Sequence, residues 1–206
     1  MRTIIVTGPS CSGKTYLTKK LSELFDDSIL VRTDSYYRDN ILIRILSKFI
    51  PDIYDRPLSI KKNEINKTIE SIYKQDKLIL FSNYDFINQK SSKSEISLNF
   101  KGENQFLIIE GIFSHLLDLD YQKTINIVCK EEHNICYGRR KIRDQLERGR
   151  SNIEVNLKFN RSWRLFYKNI KIFLRKNKVI SLEAADKASY EQLVISLLTI
   201  KKPKKR

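Results

Sequence analysis

Residues Gly8 to Thr15 have the types and spacing needed to bind the phosphates of a nucleotide. They match GxxxxGK[ST] at every fixed position, with an apolar run before them and an amphipathic stretch after them. In such a loop, glycines let backbone amides point at phosphate oxygens, the lysine reaches the outer phosphates and the last hydroxyl ligates Mg²⁺. We therefore expect the nucleotide to be bound by Gly8, Pro9, Ser10, Cys11, Ser12, Gly13, Lys14 and Thr15.

Two acidic residues follow apolar runs and could act on the same phosphates. Asp34 comes after the run at 28–31 and could take a proton from a hydroxyl, hold Mg²⁺ through water, or cap a helix. Glu110 ends the run at 106–109 and could hold Mg²⁺ or be a solvated strand end, and Gly111 after it permits a sharp turn. We expect the metal ligands to be Thr15, Asp34 and Glu110.

The segment 139–150 carries six basic residues and two acids. Arg139 and Arg143 would share one face of a helix, and Gly149 would end that helix and permit a hinge. Guanidinium groups on a lid at about 139–152 could close on transferring phosphates and exclude water. The alternative is a solvated basic helix. The expected catalytic residues are Lys14, Asp34 and Arg143.

The elements that would position these residues alternate between short apolar runs and longer amphipathic stretches. Predicted strands cover 3–7, 28–31, 77–81, 96–100, 106–109, 124–128 and 179–180. Predicted helices cover 14–25, 39–50, 60–73, 132–147, 152–176 and 190–200. This alternation indicates an α/β fold with a mainly parallel sheet, in which ligands bind at the carboxyl ends of the strands.

Length and composition restrict the class of protein. The chain of 206 residues is 41% hydrophobic and 31% charged, with a net charge of +15. These values fit one folded domain at 1–200 followed by a basic, disordered tail at 201–206. No apolar run approaches the ~20 residues of a membrane span. Three cysteines without CxxC spacing and only two histidines argue against a disulfide framework or a zinc site and favour the cytoplasm.

The order of short motifs at 1–180 resembles the uridine kinase branch of the phosphoribulokinase/uridine kinase family. The motifs are the loop at 8–15, Asp34-Ser35-Tyr36-Tyr37, Tyr54-Asp55-Arg56-Pro57, Tyr84-Asp85-Phe86, Ile109-Glu110-Gly111-Ile112, Arg143-Asp144 and Glu147-Arg148-Gly149-Arg150. The resemblance implies a P-loop NTPase-type three-layer fold, with helices on both faces of the sheet, a helical lid and a small β-hairpin over the acceptor site. It also implies ATP and Mg²⁺ as cofactors.

The resemblance implies roles for residues outside the loop as well. Asp34 would take the proton of a ribose 5′-hydroxyl, and Asp55 would bind the ribose hydroxyls. ATP phosphates would be contacted by Arg140 and Arg143. The nucleoside would be bound by Tyr37, Tyr84, Phe86, Gln89, Arg148 and Arg150. The sequence departs from the family's usual pattern in three places. Gln89 replaces a histidine that reads the pyrimidine, Lys158 replaces a glutamine, and the stretch at 58–61 lacks the second aspartate that is usual there.

The expected function is phosphoryl transfer from ATP to the 5′-hydroxyl of uridine or cytidine, in pyrimidine salvage. The alternative on the same fold is another small hydroxylated acceptor, such as nicotinamide riboside, pantothenate or a sugar phosphate. A nucleotide-gated nucleic-acid-binding module is the alternative from another class, because segment 158–178 interleaves eight basic residues with aromatic ones. That segment equally fits an amphipathic helix whose aromatic face packs on the sheet. A homo-oligomer is compatible with the sequence, whereas nucleic-acid and membrane partners are not expected.

Overall fold

Seven strands and six helices occur in the part of the chain that the computed structural model describes, residues 1–50, 52–102, 104–183 and 187–201. The strands are β1 (Arg2–Thr7), β2 (Ile29–Arg32), β3 (Ile79–Asp85), β4 (Lys90–Ile96), β5 (Phe106–Glu110), β6 (Ile125–Lys130) and β7 (Val179–Glu183). The helices are α1 (Lys14–Leu24), α2 (Ile41–Phe49), α3 (Lys62–Lys74), α4 (His133–Arg148), α5 (Asn152–Lys176) and α6 (Lys187–Ile200).

Five of the strands form one parallel sheet in the order β2–β5–β1–β6–β7. Its central strand is apolar on both faces, and Ile4, Ile5 and Val6 of β1 are fully buried, because helices cover both sides of the sheet. Ile5 belongs to a cluster with residues of α3 and α5, whereas Ile4 and Val6 belong to a cluster with residues of α1 and α6. The structure therefore confirms the predicted α/β fold with helices on both faces of a parallel sheet.

Local signals set the ends of the helices that carry the candidate site. α1 begins directly after Gly13, which adopts the left-handed conformation (φ 88°) that glycine takes without strain. α4 ends at Gly149 (φ 61°), whose amide donates back to carbonyls of the last turn. α5 begins with a capping box in which Ser151 and Glu154 exchange side-chain and backbone hydrogen bonds. These caps define the loop before α1 and the turn between α4 and α5.

The other two strands, β3 and β4, form an antiparallel hairpin outside the main sheet. The predicted strand at 77–81 enters this hairpin only from Ile79 onward, and the predicted strand at 96–100 is wrong apart from its first residue. β4 reads KSSKSEI and is almost wholly exposed, so it lacks the apolar alternation by which a strand is recognised. A small hairpin of this kind agrees with the one that the resemblance implies.

The aromatic residues of α5 support the amphipathic-helix interpretation of segment 158–178. Phe159, Phe166 and Phe173 are buried in the core, so they are not available to stack on nucleic-acid bases. Trp163 and Tyr167 are half-buried beside them. The aromatic pattern in this segment is therefore explained by packing.

The predicted basic tail at 201–206 lies outside the described residues except for its first position. Lys201 is described, and its ammonium pairs with Asp27 at 2.6 Å. Nothing among the described helices combines the length and the apolar composition needed to cross a bilayer.

Candidate active site

The loop between β1 and α1 is shaped by close approaches that admit only certain residues. A Cβ on Gly8 would lie 2.6 Å from the Cys129 carbonyl oxygen and 2.5 Å from Ser12 Oγ, so glycine alone fits there. Lys14 is 6% exposed, and its Nζ donates to the Pro9 carbonyl at 2.8 Å. Because this partner is a neutral carbonyl rather than a carboxylate, the charge of the ammonium is available to an anion in the loop.

Glu110 and Thr15 meet beside the loop. Thr15 Oγ1 donates to Glu110 Oε1 at 2.7 Å, and Thr18 Oγ1 donates to Oε2 at 3.3 Å. Asp34 lies in a 3-10 turn directly after β2, and its buried Oδ1 has no hydrogen-bond partner among the described residues. A hydroxyl, a carboxylate and an orphaned carboxylate oxygen are the hard oxygen ligands that Mg²⁺ prefers. These residues therefore fit the metal that the resemblance implies.

The surroundings of Asp34 make it a stronger base than an ordinary aspartate. Burial raises the pKa of Asp34, the Lys14 ammonium opposes this rise and the Glu110 carboxylate adds to it. A perturbed carboxyl group inside a crevice is typical of a residue that moves a proton.

Gly111 allows the end of β5 to approach the Asp34 turn closely. Its φ is +151°, and an added Cβ would lie 1.8 Å from Thr33 Oγ1 and 3.2 Å from Asp34 Oδ1. We expect Gly111→Ala to lower the free energy of unfolding by roughly 1–3 kcal/mol, measured by thermal denaturation. Gly138→Ala in α4 is the matched control, because nothing lies within 4 Å of its added Cβ. A Gly111 variant as stable as this control would contradict the close approach.

Two cavities open at the carboxyl ends of the strands and share one wall. The loop cavity has a volume of about 650 Å³ and is lined by Ser10, Cys11, Gly13, Lys14, Thr15, Tyr16, Asp34, Glu110, Ile112, Arg139 and Arg143. The aromatic cavity, of about 70 Å³, is lined by Ser10, Asp34, Tyr37, Tyr54, Asp55, Tyr84, Phe86, Gln89, Ile112, Arg140, Arg143, Arg148, Arg150 and Lys158. The residues common to both linings form the shared wall: Ser10, Asp34, Ile112 and Arg143.

Aromatic rings form one side of the aromatic cavity. Tyr37 lies edge-on to Tyr54 and Phe86, with ring centroids 5.9 and 5.6 Å apart, and Phe86 lies 5.0 Å from Tyr84. The Arg148 guanidinium covers the Phe86 ring at 4.8 Å from its centroid. Flat apolar walls with a few polar groups suit a planar ring ligand.

One buried carboxylate, that of Asp144, contacts all four arginines that line the aromatic cavity. Its oxygens contact guanidinium nitrogens of Arg140 at 3.3 Å, Arg143 at 2.9 Å, Arg148 at 3.5 Å and Arg150 at 2.7 Å. Burial alone would raise its pKa, but these arginines lower the pKa of Asp144 to about 2. The sequence prediction gave Asp144 no role, although its four-residue spacing from Arg140 and Arg148 on one helix is a signal for such contacts.

Asp144→Asn is expected to destabilise the protein strongly. The change leaves four guanidinium groups around a neutral amide, and breaking a buried ion pair on one side costs about 3–5 kcal/mol. The wild type should itself lose stability as the pH falls from 3.8 towards about 2. The pKa of Asp144 is lower in the folded than in the unfolded protein, so its carboxylate stabilises the fold fully above pH 3.8, and this contribution is lost as the carboxylate is protonated. Thermal denaturation checks both points, with Glu147→Gln, an exposed carboxylate on the same helix, as the control. A variant as stable as the control would rule out this anchoring role.

The contact of Arg140 with ATP phosphates stays a prediction, and in this structure Arg140 lines the aromatic cavity and not the loop cavity. Its side chain is 3% exposed, and its two terminal nitrogens donate to the Asp55 carboxylate at 3.3 and 2.9 Å. The reason is that Arg140 lies between two carboxylates, those of Asp55 and Asp144, on the buried face of α4. Arg139 lines the loop cavity instead and donates to the Cys11 carbonyl at 3.4 Å.

The structure places the other predicted residues in the loop or around the two cavities. Within the loop, Gly8, Pro9 and Ser12 are buried and the remaining five residues line the loop cavity. The predicted nucleoside ligands, with Asp55, all line the aromatic cavity. Tyr54 and Lys158 line it too, although the sequence analysis assigned neither of them to the site. Tyr54 stands next to Asp55 in a motif that was already recognised, and this adjacency could have identified it.

Known proteins resemble this chain in sequence and in fold. The model of the phosphoribulokinase / uridine kinase family matches residues 3–181. The uridine kinase of Borrelia turicatae is 29% identical over 158 residues, covering 73% of this chain and 71% of that protein. The uridine kinase of Borrelia duttonii is 28% identical over 174 residues, covering 81% and 79%. A solved structure described as a possible uridine kinase from Bacillus stearothermophilus has the same fold, with a TM-score of 0.53 at 12% identity and coverage of 87% of each chain.

The match to the family model extends from β1 through the loop, the Asp34 turn, the hairpin and α4 to β7. It therefore includes every residue placed in the two cavities. On this ground the chain belongs to the phosphoribulokinase/uridine kinase family.

Proposed function

We propose that the protein transfers the γ-phosphoryl group of ATP, with Mg²⁺, to the 5′-hydroxyl of a nucleoside, with uridine or cytidine as the acceptor. The observation that carries this proposal is the shared wall, where Asp34 and Arg143 face both cavities. With ATP in the loop cavity and a nucleoside in the aromatic cavity, the reacting groups would meet at that wall. Relatives named uridine kinases support a nucleoside as the acceptor.

On the donor side, the loop cavity would hold the triphosphate of ATP. The loop amides and the first turn of α1 would bind phosphate oxygens. Lys14 and Arg143 would stabilise the negative charge that the γ-phosphoryl group carries during transfer. Thr15, Glu110 and Asp34 would hold Mg²⁺, which neutralises charge on phosphate oxygens when it is bound.

On the acceptor side, Asp34 would take the proton of the 5′-hydroxyl as the hydroxyl oxygen attacks the γ-phosphorus. Asp55, which is fixed by Arg140, keeps lone pairs that can accept hydrogen bonds from ribose hydroxyls. The rings of Tyr37, Tyr84 and Phe86 would pack against the base. Burial of Asp34 in this crevice is consistent with its role as the base, because it raises the pKa of the carboxyl group.

Residues 139–152 would act as a lid. We expect part of the wall of the aromatic cavity, which is much smaller than the loop cavity, to move when a nucleoside enters. The end of α4 and the turn after it supply much of that wall, including Arg148 and Arg150. Closing this segment over bound substrates would exclude water from the transfer step. All three cysteines are free thiols, which fits a reducing compartment, and we place the reaction in the cytoplasm.

Acceptor-dependent release of ADP tests the proposal. The purified protein is incubated with ATP and Mg²⁺ and with uridine, cytidine, adenosine, pantothenate or ribulose 5-phosphate. We expect turnover with the pyrimidine nucleosides and only background release of ADP without an acceptor. If only pantothenate or ribulose 5-phosphate supports turnover, the protein is a kinase of the same fold that acts on another small hydroxylated acceptor instead of a nucleoside. An absence of acceptor-dependent turnover across the panel would contradict kinase activity.

A further inference from the structure

The polar side chains that line the aromatic cavity are unequally divided between hydrogen-bond acceptors and donors. The carboxylates of Asp34 and Asp55 are acceptors, and both are assigned above to hydroxyl groups of the sugar. Tyrosine hydroxyls can act in either sense. Ser10 is a hydroxyl that can also act in either sense, Arg140 is paired with Asp55, and Arg143 is assigned above to the phosphates. The other polar side chains of the lining form a donor set, Gln89, Arg148, Arg150 and Lys158.

Every side chain of the donor set can donate a hydrogen bond to a ligand. Lysine and arginine side chains have no acceptor atom. Gln89 can act in both senses: its Oε1 accepts the Tyr54 hydroxyl at 3.4 Å, and its amide NH₂ can donate to a ligand. The Gln89 backbone is left-handed (φ 53°) in the turn between β3 and β4, so the hairpin presents this side chain to the cavity. A ligand edge that faces the donor set must therefore supply acceptors.

Positive charge in the aromatic cavity also exceeds the negative charge available to it. Five cationic side chains line the cavity: Arg140, Arg143, Arg148, Arg150 and Lys158. Against them stand Asp34, Asp55 and the single carboxylate of Asp144, which four of the arginines share. The carboxylate that Lys158 contacts, Glu154, is half-exposed and 3.7 Å away.

Positive charge also exceeds negative charge around Lys158. The Lys158 side chain is half-buried, with 19% of its surface exposed. Burial lowers the pKa of Lys158, and the neighbouring Arg150 lowers it further, more than Glu154 can offset. A ligand carboxylate in this cavity would relieve this crowding of cations and would form charge-assisted hydrogen bonds.

We infer that the acceptor is a nucleoside whose base presents only hydrogen-bond acceptors to the donor set, and that a carboxylate on the base is favoured over a carboxamide or an amine. The inference rests on the proposed function, since it assumes that the aromatic cavity holds the base. An amino group facing the donor set would place N–H groups of the ligand against N–H groups of the protein. Neither would have an acceptor, and this weakens binding by about 10–100-fold. A carboxylate in the same place pairs with Lys158 and supplies the missing negative charge.

Two matched pairs of nucleosides test the inference. Nicotinic acid riboside and nicotinamide riboside differ in a carboxylate against a carboxamide. Uridine and cytidine differ at C4 in a carbonyl against an amino group and at N3 in a donor against an acceptor, so the riboside pair is the more direct test. We expect kcat/KM to favour the first member of each pair by at least about tenfold. The difference should lie mainly in KM, because the group is remote from the reacting hydroxyl. Lys158→Gln should reduce the preference to less than threefold for the riboside pair, whereas Lys168→Gln, an exposed lysine on the same helix, should leave it unchanged.

Failure of the inference and failure of the proposed function give different results. Turnover without the preference, or a preference that survives Lys158→Gln, would overturn the inference and leave the kinase intact. An absence of turnover on all four nucleosides would overturn the proposed function. Calorimetric titration of the two pyridine ribosides then still decides the inference, because tighter binding of the carboxylate, lost in Lys158→Gln, supports it and equal binding overturns it.

Discussion

Asp34→Asn is expected to lower kcat by about 10³-fold, because a positioned general base contributes about 10²–10⁴-fold to a proton transfer. The amide keeps the size of the side chain but cannot take the proton of the 5′-hydroxyl. ATP should still bind nearly as well, since the loop and Lys14 remain. Steady-state release of ADP with uridine gives kcat, and calorimetry with a non-hydrolysable ATP analogue gives nucleotide affinity.

The control for this change is Asp26→Asn, an exposed aspartate that lines neither the loop cavity nor the aromatic cavity. It should leave kcat unchanged. In the wild type, kcat should fall as the pH drops through the pKa of Asp34, and the fall should begin above the ordinary aspartate value of 3.8 because that pKa is raised. Unchanged turnover in Asp34→Asn would remove Asp34 as the base.

Lys14→Ala is expected to reduce kcat/KM for ATP by about 10³-fold, the upper range for the loss of one preorganised group that stabilises transition-state charge. The ammonium is buried and oriented by the Pro9 carbonyl at 2.8 Å, so its position is fixed before the nucleotide arrives. Steady-state kinetics with varied ATP measures the loss. Lys19→Ala, an exposed lysine on the same helix, is the control and should stay within about twofold of the wild type. A loss of less than tenfold in Lys14→Ala would show that the loop is not the site of the transferring phosphate.

The main sheet and its helices could be predicted because each buries a continuous or periodic set of apolar residues. The sequence predicts α5 at its observed bounds, Asn152–Lys176, since a capping box precedes it and basic residues occupy its last turn. β5 could be recognised from the run FLIIE, which is buried throughout. The hairpin could not be placed, because β4 is held by pairing with β3 and buries almost nothing.

The two cavities differ in how much of each could be predicted from the sequence. The loop at 8–15 is contiguous and is followed by an amphipathic helix, so its chemistry could be read directly. Asp34 and Glu110 could be assigned because each follows a strand of a parallel sheet, and such ends meet at one edge. The pairing of Arg140 with Asp55 joins residues 85 positions apart, and no local pattern predicts it. This long-range pair places Arg140 at the aromatic cavity, whereas the resemblance led us to expect it at the phosphates.

A structure of the protein with a non-hydrolysable ATP analogue and uridine tests most directly whether donor and acceptor meet at Asp34. The quantity to measure is the distance between the Asp34 carboxylate and the 5′-hydroxyl oxygen of the nucleoside. We predict about 2.6–3.2 Å, with the phosphates of the analogue in the loop cavity and the base against Tyr37 and Phe86. A nucleoside whose 5′-hydroxyl points away from Asp34, or which binds outside the aromatic cavity, would contradict the proposal.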